Sequence, residues 1–302
     1  MSKFLASRHI NYALNEYQKN GVSDFFKQLC QEVIDSRDPR SNYLFAKTML
    51  RTTKEIDVLA HGRVVLEYGD SEANYDFART IKGADSRAHR DKIIELGSVE
   101  YNIYAGKSVE LKDGLAEEYV NKHGQVILDK GGFCSAYQYI RRNKIEGLNK
   151  QPYLDKIIAT QDPQYNLKTA QNVEGIDIEP HSKIVAQYGD AEQNFLFLSV
   201  AECNAKRHLN AIIRSGDPVV NLQCLVEVKD CNYIKHMQAV FDSNDNECKY
   251  EAVMWANRKG CLKEFGKYVP AIKDFVREFK DGNIKLTTLC YKFLKPEQVK
   301  GR

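Results

Sequence analysis

The feature that most restricts this chain is a spacing that keeps returning. A His is followed nine residues later by an Asp, and four residues after that by an Asn. Such self-similarity marks a repeat architecture, in which each unit buries its apolar face against its neighbours. With the Asp as reference, the mark falls at Asp38, Asp70, Asp162, Asp190, Asp217 and Asp245, with Ser98 and Gly132 standing in twice. Successive marks lie 32, 28, 34, 30, 28, 27 and 28 residues apart. Asn42, Asn74, Asn102, Asn166, Asn194 and Asn221 occupy the Asn place, and Ala136 and Lys249 depart from it. His61, His89, His123, His181, His208 and His236 occupy the His place, with Leu29 and Tyr153 as exceptions. Six of the seven histidines therefore share one repeat position.

A unit of this length reads as two short helices. The first opens at the mark: "DPRSN", "DPQYN" and "DPVVN" place Asp at the N-cap and Pro at the first helical position, where the missing N–H costs nothing. Apolar residues follow at helical spacing, as in Tyr75, Ala78 and Ile81 or Leu222, Leu225 and Val228. Turns such as "KGAD" and "EGID" predict a left-handed C-cap at Gly83 and Gly175. The second helix carries the His early and ends in a β-branched pair, for example Val64–Val65 or Ile212–Ile213. The fold class predicted is all-α: about eight helical hairpins over 33–269 stacked into a solenoid, with helical caps at 1–32 and 270–302, all in one continuous domain. No Gly/Ser linker or low-complexity segment divides it.

Composition narrows the functional classes. The chain has 44 basic and 41 acidic residues in 302, a net charge of +3 that gives no strong pull toward nucleic acid or anionic membrane. No run of apolar residues is long enough to span a bilayer. Eight cysteines without CxxC pairing read as reduced thiols and give no zinc signature. These features point to the cytoplasm.

The phrases "KHGQVIL", "AHGRVVLEYGDSEANYDFARTIKGAD" and "AIIRSGDPVVNLQCL" resemble a short, loosely HEAT-like α-helical repeat found in many uncharacterised bacterial and bacteriophage proteins. The resemblance covers residues 33–269. It implies no activity and no cofactor. It implies a HEAT-like superhelix, a bacterial or phage setting and a binding role, with inhibition of a host or defence-system protein by sequestration or occlusion as the expected mechanism.

Six equal histidines suit a structural ladder better than a catalytic site, which needs one asymmetric constellation. Each His is expected to bond a neighbouring turn or helix end, such as the next repeat's Asn, while the Asn satisfies backbone groups at the junction. Iron-binding HEAT-like hydroxylases pair His directly with Glu. No His-Glu pair, HExxH, G-x-S-x-G, P-loop or G-x-G-x-x-G occurs here, so neither a metal nor an enzymatic role is predicted. "KGGFC" before α-helical sequence reads as a repeat turn with Cys134 as a small helix residue.

The predicted partner is another protein. The most divergent repeat, around 128–151, gathers Tyr137, Tyr139, Arg141, Arg142 and Lys144. Tyr and Arg are the residue types most often found at binding hot spots. Arg87 and Arg90 flank His89, and Arg207 precedes His208. The same residues support an alternative, an RNA- or DNA-binding solenoid, in which cations follow phosphates and aromatics stack on bases. Nearby acids such as Glu95, Glu100, Glu117 and Glu118 interrupt a continuous basic stripe. The oligomeric state stays open.

Overall fold

The computed structural model describes residues 2–107, 116–142 and 147–281, with side chains from residue 8. Nineteen α-helices and no strands occur among the described residues. The chain divides into two compact units, Met1–Lys156 and Ile157–Arg302.

In the first unit, α1 (Ser2–Asn20) and α2 (Asp24–Asp35) precede three hairpins. These are α3 (Pro39–Met49) with α4 (Val58–Tyr68), α5 (Ser71–Thr80) with α6 (Ser86–Leu96), and α7 (Val99–Lys107) with α8 (Ala116–Lys130). Then come α9 (Phe133–Arg142) and α10 (Gln151–Ile158), the latter carrying the boundary between units. First helices pack on first helices along α3, α5, α7 and α9, and second helices on second helices along α4, α6 and α8.

The second unit repeats the scheme. Its hairpins are α11 (Pro163–Asn172) with α12 (Glu179–Tyr188), α13 (Ala191–Phe197) with α14 (Ala205–Ser215), and α15 (Pro218–Glu227) with α16 (Tyr233–Asp242). Three further helices follow: α17 (Asn246–Arg258), α18 (Leu262–Tyr268) and α19 (Ala271–Lys280). Of the predicted C-terminal cap, residues 282–302, with Cys290, lie outside the described residues.

Local chemistry sets these boundaries. Asp38, Asp70, Asp162, Asp190, Asp217 and Asp245 are all N-caps whose carboxylates accept first-turn backbone N–H groups. Those donors would otherwise be orphaned. Pro39, Pro163 and Pro218 stand in the first turn. A second set of caps escaped the sequence reading. Four residues before the His, Asp57, Asp85, Asn204 and Asn232 cap the second helices in the same way. Gly83 and Gly175 do have the left-handed φ predicted, +88° and +69°. However, α5 and α11 have already ended at Ile81 and Val173, which are extended, so these glycines shape the turn and are not the caps. Left-handed caps close α6 and α14 instead, at Gly97 and Gly216.

The β-branched pairs supply the core. Val65, Ile93, Val185 and Ile212 are at most 1 % exposed, beside Phe45, Phe77 and Phe197, each fully buried. In the second unit, Trp255, Phe265 and Phe275 close the core of α15 to α19.

Candidate functional site

The His and Asn of every complete repeat meet. In six hairpins the His Nδ1 lies 2.6–2.8 Å from the Asn Oδ1: His61 with Asn42, His89 with Asn74, His123 with Asn102, His181 with Asn166, His208 with Asn194 and His236 with Asn221. All twelve residues are at most 1 % exposed. The partner is the Asn of the same hairpin, not that of the next repeat.

The Asn amide makes the connection between repeats. Asn74 Nδ2 donates to Val65 O at 3.2 Å, at the end of the preceding repeat's second helix. It also donates to Gly69 O at 3.2 Å and Asp70 O at 2.9 Å. Asn42, Asn102, Asn194 and Asn221 reach back the same nine residues, to Val33, Ile93, Val185 and Ile212. Each of these five Asn thus holds three helices: the end of the one before, the start of its own, and the His of the one after. Asn166 donates to Asp162 O at 2.7 Å and so joins the start of its own helix to His181.

These bonds also fix the histidine tautomer. Carbonyl oxygens only accept, so Nδ2 must face them and Oδ1 must face the imidazole. Nδ1 therefore carries the proton, and Nε2 is left as an acceptor. In His61, His89, His123, His181 and His236, Nε2 is buried with no hydrogen-bond partner. His208 differs. Its Nε2 accepts from Ser182 Oγ at 2.9 Å, and Ser182 Oγ accepts from Arg207 at 3.0 Å. Arg207 in turn forms a two-pronged ion pair with Glu179, at 2.9 and 2.6 Å.

Burial holds the imidazoles neutral. It pushes His61, His89, His181, His208 and His236 down to about 4, and His123 to about 3. Arg90 adds to the effect at His123. Aromatic rings cover several imidazoles: Phe45, Phe77 and Phe197 lie 5.2, 4.9 and 4.4 Å from His61, His89 and His208 between centroids. Each of these phenylalanines stands three residues after the repeat Asn. Burial likewise pushes the thiols of Cys224 and Cys248 up to about 12, and Cys30 and Cys231 to about 11, away from nucleophilic thiolates. No three His, Cys, Asp or Glu side chains converge among the described residues.

Several residues expected at the partner surface are in the core. Tyr137 and Tyr139 are only 6 % and 1 % exposed. Tyr139 stands where Phe45, Phe77 and Phe197 stand in their repeats. Its ring packs 5.5 Å from Tyr153, the stand-in for His, and its hydroxyl donates to Val120 O. Gly106 and Gly124 make room: a Cβ at Gly124 would come within 1.8 Å of Tyr153 Oη. Arg90 is buried as well, its guanidinium donating to Ala105 O at 2.7 Å. Its position, next to the repeat His, points inward, as Gly62, Gly124 and Ser182 do. Arg207 is committed to Glu179 and Ser182. Arg87, Arg141 and Arg142 are exposed, and Lys144 lies outside the described residues.

A registered surface pattern was missed. One residue after the Asn place comes a Tyr, and four residues later a cation: the half-buried Tyr43 with Lys47 and Tyr75 with Arg79, and, after Ala136, the buried Tyr137 with the exposed Arg141. The cation sits 5.1, 5.3 and 5.9 Å from the ring centroid respectively, within cation–π range. On α7, Tyr101 and Tyr104 pack 6.0 Å from Tyr75. The signal was available as a Tyr/cation pair at i,i+4 in fixed register. Near the N-terminal ends of α3 and α5 opens a cleft of about 430 Å³ lined by Asp38, Arg40, Tyr43, Tyr68, Asp70 and Glu72 among others. A second, about 470 Å³, lies over Tyr233, Trp255 and Phe265 with Lys259 and Glu264 at its edge.

No family model, curated protein or solved structure matches this chain.

Proposed function

We propose that this chain is a non-enzymatic, protein-binding repeat protein, its hairpins continuing into a HEAT-like solenoid. The observation that carries the reading is the division of labour between its polar residues. The repeated His and Asn are consumed in holding helices together. The half-buried Tyr43 and Tyr75 with their cations on α3 and α5, and the exposed Arg141 of α9, form no part of that ladder. Tyr and Arg over a rigid helical scaffold are favourable anchors for a protein interface, because little side-chain entropy is lost on docking. In the bacterial or phage setting implied by the repeat, the mechanism is sequestration or occlusion of a host protein, defence components included, in the cytoplasm. No helix among the described residues is long and apolar enough to cross a membrane.

The RNA- or DNA-binding alternative rests on the same Tyr and basic residues. It is disfavoured by the acids Asp70, Glu72, Asp76 and Glu100 beside them, which repel a phosphate backbone. Affinity capture from bacterial lysate, with and without nuclease and at roughly 0.5 M salt, tests the choice. One dominant protein surviving both treatments is the expected result. A nucleic-acid-dependent mixture lost on nuclease treatment contradicts it.

A further inference from the structure

The tyrosines of the first unit lie between two rows of opposite charge. Toward the N-terminal ends of α5 and α7 stand Glu72 and Glu100, where helix dipoles favour anions. Toward the C-terminal ends of α3, α5, α7 and α9 stand Lys47, Arg79, Lys107 and Arg142, where dipoles favour cations. Between them run Tyr43, Tyr75, Tyr101 and Tyr104, all half-buried. Their hydroxyls point to both rows: Lys47 donates to Tyr43 at 3.0 Å, and Tyr104 donates to Glu100 at 3.2 Å. The helices pack consecutively, α3 on α5 on α7 on α9, so the rows run along the stack and across the helix axes.

We propose that this face binds one amphipathic α-helix of a partner protein, lying across α3, α5 and α7, with acidic residues on one flank and basic residues on the other. The inference rests on the protein-binding reading and names the surface and the partner chemistry. Charge complementarity sets the two flanks. Spacing selects a helix. Packed helices lie ~8–10 Å apart, and a partner helix returns to the same face after seven residues, a rise of ~10.5 Å. A strand covers that distance in about three residues, which turns its side chain to the opposite face. Acidic residues seven apart on the partner then meet Lys47, Arg79 and Lys107 in turn, and the opposite flank meets Glu72 and Glu100. Apolar and aromatic side chains between the flanks rest on the tyrosines, the helix-in-groove mode of recognition.

The probe is a synthetic helix of about 21 residues, ~31 Å long, with heptad-spaced Glu on one flank, Lys on the other and Leu between. A control peptide has the same composition with the charges of the two flanks mixed. Binding to the full chain is followed by fluorescence anisotropy. The segregated peptide is expected to bind at least about tenfold tighter than the mixed one. The Lys47→Glu/Arg79→Glu variant, with unchanged melting temperature, is expected to erase that preference. Equal affinity for both peptides overturns the proposal, as does a preference that survives the charge reversal. Tighter binding of single-stranded oligothymidylate than of either peptide also overturns it and favours nucleic acid. The protein-binding reading fails separately. If the reversed variant captures the same dominant lysate protein at undiminished yield, that reading stands and this face is removed from it.

Discussion

Mild acid should unfold this protein, and the histidine ladder sets where. In the folded chain five imidazoles are held near 4 and His123 near 3, against 6.5 for the same group in an unfolded chain. The unfolded state therefore binds more protons throughout the window between about 4 and 6.5, so stability falls as pH drops through it. At about pH 5.5 an unfolded His is about 90 % protonated, and this favours unfolding by ~1.4 kcal/mol per residue. For six such residues this sums to roughly 8 kcal/mol, on the order of the whole stability of a domain. Depressed carboxylates such as Glu179, held down by Arg207, lose their contribution only below the ordinary Glu value of 4.5, so the two effects separate in pH. The assay is urea denaturation followed by circular dichroism at roughly pH 7.5 and 5.5. A midpoint that collapses at the lower pH is expected. A midpoint unchanged or raised there would refute neutral burial of the ladder.

Three substitutions probe the same architecture. Asn74→Ala removes the acceptor of His89 and the donor to Val65, Gly69 and Asp70, and should cost about 3–4 kcal/mol in urea unfolding; a loss below ~1 kcal/mol contradicts the three-helix role. Gly124→Ala drives a methyl into Tyr153 Oη and should cost about 2–3 kcal/mol, with part recovered in Gly124→Ala/Tyr153→Phe; a double-mutant cycle showing no coupling speaks against that contact. Ser182→Ala strips the donor from His208 Nε2 and an acceptor from Arg207, and should cost about 1–2 kcal/mol, read from the melting temperature, while leaving partner capture intact.

The repeat register, the six first-helix N-caps and the His–Asn places were legible because each is a local rule repeated at fixed spacing. The pairing partner of each His was not legible, because hairpin closure sets it and spacing alone fits either neighbour. Tyr137 and Tyr139 looked like a surface cluster because tyrosines beside arginines read as hot-spot residues, and the register already assigned to this repeat was not carried on to the aromatic place. Aligning Ala136 with the Asn place puts Tyr139 where Phe45 and Phe77 pack, and so indoors. Arg90 misled for a related reason. A long cation beside a His reads as surface, yet that position faces the next repeat, where Gly62, Gly124 and Ser182 show how little room there is. The Tyr–cation pairs were passed over because Lys47 and Arg79 are ordinary helix-end cations taken singly; only the register makes them a row.

That the six ladder imidazoles are spent on the fold is tested most directly by a long-range proton–nitrogen NMR spectrum of the histidine side chains at about neutral pH. Six neutral rings protonated at Nδ1, with Nε2 bare and no change on adding zinc, are the result predicted. Rings protonated at Nε2, or charged, or shifted by the metal, would contradict it.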